Sequence, residues 1–403
     1  MSTTDRQPLS AHYGEILSAI AAGALQRERD DENPFGMIDL VREARLGALR
    51  LPVGKGGADA SVRELFGFVI DLAEADPVVP HILRIHYRFV EEQLISTDLL
   101  ARARWLREIA DGRIFANASA EQGPRPAGGS APFSTALTRD GDGYRLNGTK
   151  YYSTGTLFAD WVVARVSDTD GTVVTVIIPT DRPGVIREDD WDGIGQRRTG
   201  SGTTHFRDVR VEAHEVSADQ LPAPGDRAGP VSYFPTFLQL WLQAIAAGIL
   251  RTVVHDAVTL LRGRTRNFSH ATAASPAEDP VLQTVVGELS AAAYAAEALV
   301  LSAADSIDAA YRSVTNGVAD PDAVAAAALN AAQVKIHLDK VAPHAATLLF
   351  DAGGASATKR SADLDRHWRN LRTLASHNPA SYKAQAVGAY LVTGRGLPAT
   401  GFF

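Results

Sequence analysis

The sequence predicts an α+β protein in which two helical domains flank a small antiparallel β-barrel or sandwich. Apolar residues recur at helical spacing up to residue 112, and the period falls to about two over residues 113–218. Helical spacing then returns over residues 219–403. We therefore expect three domains, 1–112, 113–218 and 219–403, in a chain of 403 residues that can bury a substantial core.

The first domain is predicted to be entirely helical. Pro34 and a turn at residues 51–57 interrupt the apolar spacing, and Asp111-Gly112 ends it. The predicted helices cover residues 9–29, 34–41, 62–75, 80–95 and 99–110.

The middle domain consists of short alternating or apolar runs that Gly and Asp separate at hairpin-like spacing. This rhythm is typical of a small antiparallel barrel or sandwich. The predicted strands cover residues 113–119, 135–138, 143–146, 161–166, 172–178, 185–187 and 203–211.

The stretch 144–161 joins a strand, a turn signal and a polar cluster. Its Asn147-Gly148 pair predicts a tight hairpin turn, because both residues tolerate the positive φ angles of a type I′ turn. Residues 151–155, YYSTG, then place two aromatic rings beside two hydroxyls. Such a surface suits a flat polar ring system, and an ordinary hairpin with a polar exit is the alternative.

The last domain follows a linker-like stretch at residues 221–225, LPAPG. Helices are predicted at 234–262, 280–315 and 321–350, and Asn378-Pro379 introduces a fourth that ends near Thr393. Four long helices predict a four-helix bundle. Its faces are rich in alanine and carry few charges, so we expect other subunits to cover part of it.

Composition excludes several classes of protein. The net charge of -7 argues against nucleic-acid binding, which needs a basic surface. The most apolar run, 241–250, is interrupted by Gln243 and followed by Arg251, so no membrane span is expected. The chain has no cysteine, and it begins without the basic and apolar segments of a secretory signal. We expect a cytoplasmic protein.

No metal site is expected either. His81 and His86 lie five residues apart, and His337 and His344 seven apart. Neither spacing suits a metal shared on one face of a helix.

The order of the domains, together with LNGTKYYSTG at residues 146–155, resembles the acyl-CoA dehydrogenase superfamily of flavoproteins over essentially the whole chain. The resemblance implies that Ser153 contacts the flavin ring, with Thr154 beside it. FANASAEQG at residues 115–123 stands where the family has an aromatic-to-Thr-Glu-Pro-Gly turn. Asn117 and Ser119 are therefore candidate flavin ligands, and a strand-end hydrogen bond to the backbone is the alternative for Asn117.

Two further segments resemble flavin-binding parts of the family. Arg264 and Arg266 stand in a loose counterpart of its Arg-x-x-Phe-Gly motif and could bind a phosphate, although a basic helix end is the alternative. Gly353 and Gly354 match a Gly-Gly turn that approaches the cofactor of a neighbouring subunit, although a helix C-cap is the alternative. The resemblance and the alanine-rich bundle together imply a homotetramer.

One departure separates this chain from the dehydrogenases. Where many of them carry a Tyr-Glu-Gly base, this chain has His377-Asn378-Pro379, and an asparagine amide cannot abstract a proton. That triplet and residues 191–211 resemble the flavin-dependent monooxygenase branch, which includes dibenzothiophene monooxygenase and sulfur-acquisition enzymes.

The monooxygenase branch implies reduced FMN from a separate NAD(P)H flavin reductase, molecular oxygen, and a C4a-hydroperoxyflavin that oxygenates a small apolar substrate, with aromatic and organosulfur compounds as candidates. The alternatives are an FAD-dependent acyl-CoA dehydrogenase or oxidase, and a flavin-binding protein without catalysis.

Candidate catalytic side chains are His377, as the main proton donor or acceptor, and His86, as a second histidine, together with Ser153. Each histidine also has a non-catalytic interpretation. His377 could satisfy a loop carbonyl, and His86 could belong to an exposed polar face of its helix. Four aromatic residues are candidates for the substrate pocket or else belong to the core: Phe158, Trp191, Phe237 and Trp241.

Overall fold

The structure is a computed structural model that describes residues 8–123, 132–218, 232–400 and 402–403. The first seven residues, where no secretory signal is expected, and the predicted linker at 221–225 lie outside the described residues. The described chain forms a helical N-terminal part, a central sheet and a C-terminal helical part, which confirms the predicted fold class.

The N-terminal part contains shorter helices than the sequence predicts at two places. Its helices are α1 (Leu9–His12), α2 (Gly14–Ala21), α3 (Ala24–Asp30), α4 (Phe35–Glu43), α5 (Val62–Ala75), α6 (Val78–Ile82), α7 (Arg84–Ile95) and α8 (Leu99–Ala110). The predicted helix 9–29 is broken, partly because Gly23 has a φ of 76°, which a continuous helix does not allow. The predicted helix 80–95 is divided at Leu83 into α6 and α7.

A buried ion pair ties α7 to the loop before α5. Arg50 Nε donates to Glu91 Oε1 at 2.6 Å, and both side chains are almost inaccessible to solvent. The hydroxyl of Tyr233 donates to Glu91 Oε2 at 3.1 Å, so the carboxylate also binds the chain just before the C-terminal helices. Both charges are therefore paired inside the core.

Over the described residues the central sheet has eight strands and is mixed, whereas the sequence predicts an antiparallel one. The strands are β1 (Phe115–Ala118), β2 (Ala136–Asp140), β3 (Gly143–Lys150), β4 (Trp161–Ser167), β5 (Val173–Pro179), β6 (Val185–Arg187), β7 (Thr204–Val211) and β8 (Val216–Ala218). Their order is β6-β7-β3-β2-β4-β5-β8, with β1 paired to β4. Both β1 and β2 run parallel to β4, and the other pairs are antiparallel.

The predicted hairpin turn at Asn147-Gly148 is wrong. Strand β3 continues through both residues, and the pairing with β7 shifts register there, as in a β-bulge. Asn147 Oδ1 accepts a hydrogen bond from the backbone N–H of Asp208 at 2.8 Å, and Gly148 has a φ of 150°. The pair therefore lies in a bulge between β3 and β7. The chain reverses instead near Gly141, between β2 and β3.

The C-terminal part contains the four long helices that the sequence predicts and one that it does not. They are α9 (Phe234–Gly263), α10 (Pro280–Arg312), α11 (Pro321–Gly353), α12 (Asp365–Ala375) and α13 (Ala380–Thr393). Helices α9, α10 and α11 pack against one another, and α13 packs on α11. The additional helix is α12, which leads directly to His377.

Two of these helices are long and apolar enough to cross a membrane by length and composition alone. In α9 the most apolar window is 78% buried inside the protein, as expected for a core helix. In α10 the corresponding share is only 22%, and Tyr294 is 78% exposed. The described residues of the single chain therefore leave an apolar face of α10 uncovered.

Candidate active site

A sharp turn after β3 presents Ser153 to the helical part. Tyr152 adopts a φ of 53°, uncommon for a residue with a side chain, and Gly155 has a φ of 82°. A Cβ atom at Gly155 would lie 2.9 Å from the carbonyl oxygen of Ile82, so only glycine lets the turn approach α6. Ser153 is fully buried, and its Oγ has no hydrogen-bond partner in the described part of the chain.

A row of hydroxyls extends from this turn along the loop between β6 and β7. Thr154 Oγ1 lies 2.8 Å from Ser201 Oγ, which lies 2.7 Å from Thr199 Oγ1. Thr199 Oγ1 donates to the carbonyl oxygen of Gln196 at 2.8 Å. The row therefore leads from the β domain to Gln196.

Gln196 connects the β domain to two helices. Its backbone N–H donates to Asn370 Oδ1 at 2.5 Å, and its Nε2 reaches the same oxygen at 3.3 Å. Its Oε1 is therefore the atom that faces His81 Nδ1, at 2.9 Å. Because an amide oxygen can only accept, His81 carries its proton on Nδ1 and leaves Nε2 as an acceptor.

His377 lies next to a buried arginine. Arg84 Nη1 is 3.2 Å from His377 Nε2, and since arginine can only donate, Nε2 accepts and Nδ1 carries the proton. His377 is exposed to solvent, but protein groups surround much of the ring. Desolvation by these groups is the main cause that lowers the pKa of His377 well below its usual value, and the charges of Arg84 and His81 lower it further. His377 is therefore neutral near pH 7.

Asn378 and Lys383 hold the end of the described chain beside His377. Asn378 Nδ2 donates to Gln239 Oε1 at 3.0 Å and to the carbonyl oxygen of Phe402 at 2.6 Å. Lys383 Nζ donates to the same carbonyl at 2.9 Å. The ring of Phe402 lies 5.8 Å from that of His377, so it forms one wall of the site.

Two family models match the chain. The acyl-CoA dehydrogenase middle domain matches residues 125–209, and the acyl-CoA dehydrogenase C-terminal domain matches residues 240–382, together more than half of the sequence. The chain belongs to the acyl-CoA dehydrogenase superfamily. Its relatives place it in the monooxygenase branch of that superfamily.

Three of these relatives match nearly the full length. The probable FMNH2-dependent monooxygenase SfnC of Pseudomonas putida is 27% identical over 99% of this chain and 98% of its own. The dibenzothiophene monooxygenase of Mycolicibacterium goodii is 29% identical over 95% and 90%. The crystal structure of FMN-bound TdsC from Paenibacillus sp. A11-2 superposes with a TM-score of 0.86 at 25% identity, over 96% and 98%.

The superfamily motif leads to Ser153 and Thr154. The structure places Thr154 in the hydroxyl row, and Ser153 precedes it in the same turn. Asn117 and Ser119 lie at the end of β1 and are partly exposed, with Ser119 Oγ donating to Asn117 Oδ1. Ala120 bridges Tyr151, so this strand end lies beside the turn that carries Ser153.

The structure does not support a catalytic position for His86. Its ring is fully buried, Nε2 donates to the carbonyl oxygen of Gly47 at 2.9 Å, and Nδ1 accepts from the N–H of Phe115 at 3.3 Å. Both nitrogens are occupied by backbone groups, because α7 turns this residue toward the core. His86 is a structural histidine.

Three of the aromatic residues predicted for the substrate pocket lie in the hydrophobic core instead. Phe158, Phe237 and Trp241 are at most 3% exposed, and Trp241 Nε1 donates to the carbonyl oxygen of Pro80 at 2.8 Å. Trp241 therefore supports α6 from the core side. Trp191 is half-buried and packs edge-on against Tyr152 at 5.9 Å, on the outer side of the Ser153 turn.

The remaining predicted cofactor residues form a second cluster at the ends of α9 and α11. Arg264 Nη1 donates to the carbonyl oxygen of Ala352 at 2.8 Å and lies next to Gly353 and Gly354. Arg266 is exposed nearby. Among the residues that the structure describes, no hydrogen bond or ion pair joins this cluster to the Ser153 turn.

The sequence interpretation missed four residues of the site: His81, Arg84, Gln196 and Asn370. His81 and Arg84 were visible as polar residues within an apolar segment, and such residues face the core only when something there binds them. Gln196 and Asn370 had no comparable signal, because their roles depend on contacts between distant parts of the chain.

The buried histidines predict a decrease in stability at mildly acidic pH. Burial lowers the pKa of both His81 and His86 to about 4, whereas an unfolded histidine titrates near pH 6.5. Between these values the unfolded chain binds more protons than the folded chain. The stability contributed by the two histidines is therefore fully present above pH 6.5, and it is lost as the pH falls toward 4.

We expect His86→Gln to reduce that pH slope by up to about 1.4 kcal/mol per pH unit, measured by urea unfolding across this range. The exposed His270, changed to Gln, is the control and should leave the slope as it is. An unaltered slope in His86→Gln would contradict the prediction.

Proposed function

We propose that the protein is a two-component monooxygenase that uses reduced FMN, supplied by a separate NAD(P)H flavin reductase, and molecular oxygen. The observation that carries the proposal is the buried Oγ of Ser153, which has no hydrogen-bond partner among the described residues and lies in the turn that also carries Thr154. A relative matching 99% of the chain is named as FMNH2-dependent, and FMN is bound in TdsC, which supports FMN over FAD.

The residues present fit a flavin. Ser153 Oγ can donate to a polar edge of the ring system, and the next residue, Thr154, has its hydroxyl bonded to that of Ser201. Reduced FMN, when bound, would supply two electrons, so that one atom of molecular oxygen enters the substrate and the other is reduced to water.

The histidines supply proton transfer on the helical side. Neutral His377 offers its Nδ1–H as a hydrogen-bond donor, and Arg84 fixes the ring by donating to Nε2. His81, held through Nδ1 by Gln196, offers Nε2 as an acceptor. In the described part of the chain, no carboxylate contacts His81, Arg84 or His377, so the site lacks the carboxylate base of an acyl-CoA dehydrogenase.

Flavin binding is the direct test. We expect purified protein to be stabilised more by FMN than by FAD in thermal unfolding, and to consume oxygen with NADH only when a flavin reductase is added. Protein that is purified with tightly bound FAD, and whose flavin is bleached without oxygen by an acyl-CoA, would instead be a dehydrogenase.

Ser153→Ala is expected to raise the Kd for FMN by roughly fivefold, the loss of one hydrogen bond of about 1 kcal/mol, measured by flavin fluorescence quenching. Ser167→Ala is the matched control, because Ser167 is equally buried but its Oγ accepts a hydrogen bond from the N–H of Phe133. The control should leave the Kd unchanged. Equal Kd values for both variants would remove Ser153 from the flavin site.

We also propose a homotetramer. The uncovered apolar face of α10 supports it, as does the separation of the Arg264 cluster from the Ser153 turn within one chain. Tyr294→Glu, which puts a charge on that face, should produce smaller species in light scattering. Wild-type protein that is monomeric in light scattering would contradict the homotetramer.

A further inference from the structure

Arg84 is a buried cation without a counter-charge. Its side chain is 6% exposed, Nε donates to the carbonyl oxygen of Leu238 at 3.0 Å, and Nη1 donates to His377. Among the described residues no carboxylate forms an ion pair with it, and Nη2 has no hydrogen-bond partner. Burial and the nearby Arg88 lower the pKa of Arg84 to about 9, so it remains charged at neutral pH.

A second buried arginine of the N-terminal part does have a counter-charge, in contrast to Arg84. Arg50 is equally inaccessible, and it is paired with Glu91 at 2.6 Å. A buried charge without a partner is strongly unfavourable in a folded protein. The arrangement around Arg84 therefore favours a negatively charged ligand.

A second buried basic group, partly charged at neutral pH, lies beside the same site. Lys383 is 3% exposed, its Nζ donates to the carbonyl oxygen of Phe402, and within the described chain it has no carboxylate partner. Burial and the charge of Lys335 lower the pKa of Lys383 to about 7. Lys335 itself is neutralised by Asp339, at 2.8 Å.

These groups converge on His377. After desolvation, the largest influences on the pKa of its ring are Arg84, His81, Lys335 and Lys383, and each one lowers it. Asp339 is paired with Lys335 and also favours the charged form of Lys383, whereas among the described residues no carboxylate pairs with Arg84. The site around His377 therefore has an excess of positive charge.

We propose that the substrate is a small organic acid whose oxyanion group is bound by Arg84 beside His377. The guanidinium offers its free Nη2 as a donor, and guanidinium groups bind oxyanions more strongly than neutral acceptors. This inference rests on the proposed oxygenase function and specifies its substrate class. The ring of Phe402 leaves an apolar wall for the organic part of the acid.

The test compares matched charged and uncharged probes on the FMN-loaded protein. Benzoate and benzenesulfinate are the charged probes, and benzamide and methyl phenyl sulfone are their uncharged counterparts, with Kd measured by calorimetry. We expect wild-type protein to bind at least one charged probe tenfold or more tightly than its counterpart. Arg84→Met should reduce that ratio to near one, because a site that binds a charged group discriminates against the analogue that lacks it.

Arg88→Met is the matched control. It removes the same type of side chain one helical turn later, where Arg88 is paired with Glu92, and should preserve the ratio. The Kd for FMN is measured for each variant, because reduced flavin can itself be anionic. If Arg84→Met raises the Kd for FMN and the Kd for the charged probe by the same factor, Arg84 binds the flavin and the proposal is overturned.

Two further outcomes would also overturn it: equal binding of charged and uncharged probes to wild-type protein, and binding of neither charged probe. Failure of the protein to bind FMN would instead reject the oxygenase function itself. The two hypotheses are therefore distinguishable.

Discussion

Replacing His377 by alanine is expected to lower kcat for product formation by about 10²–10³, the usual cost of removing one positioned hydrogen-bond donor. The Kd for FMN should change little, because Ser153 and the hydroxyl row belong to the β domain and make no hydrogen bond to His377 among the described residues. Oxygen consumption should continue and end in hydrogen peroxide in place of product. Rapid-quench product analysis and a peroxidase assay measure the two results together.

His377→Gln refines this prediction. Its amide keeps an oxygen that can accept from Arg84 and an N–H that can donate, so it should recover part of the lost coupling between oxygen consumption and product. His270→Ala changes an exposed histidine and serves as the control. Full turnover by His377→Ala would show that another group transfers the proton.

Glu91→Ala is expected to lower the free energy of unfolding by about 3–5 kcal/mol, because it leaves the charge of Arg50 buried without a partner. The loss also removes the acceptor of the Tyr233 hydroxyl. Urea unfolding followed by tryptophan fluorescence gives the value. Should the alanine variant fail to fold, Glu91→Gln retains the shape and still removes the charge.

Asp305→Ala is the control for that measurement. Asp305 pairs with Arg63 at 2.6 Å, but both side chains are about half exposed. An exposed pair contributes only about 0–1 kcal/mol, so this variant should be nearly as stable as wild type. Similar losses in both variants would show that burial does not determine the contribution of the Arg50 pair.

Local sequence determines those parts of the fold whose signals are complete within one segment. Helix α5 begins and ends where the sequence predicts, because Ser61 and Glu64 form a capping box before a regular apolar pattern. The Asn147-Gly148 pair misled the interpretation, because its conformation depends on Asp208, a distant residue in β7. Helix α12 was not predicted, and its position reflects contacts with α9 and α11.

The same distinction applies to the site. The superfamily motif is local and leads to Ser153, and His377 follows from a local departure in sequence. The choice between His81 and His86 depends on which side of this helical segment faces the site. At about 100° per residue, His81 and Arg84 lie on one side and His86 on the other. Which side meets Gln196 and His377, and which meets Gly47, depends on distant parts of the chain.

The parallel pairing of β1 with β4 affects how the chain can fold during synthesis. Strand β1 follows α8 directly and has β4 as its pairing strand, and the chain between them must be translated before β4 leaves the ribosome. Until then the apolar Phe115 and Ala116 have no strand to pair with. The N-terminal helices therefore cannot complete their contact with the sheet co-translationally until β4 has emerged, and a nascent chain arrested before Trp161 exposes a strand that can associate with other chains.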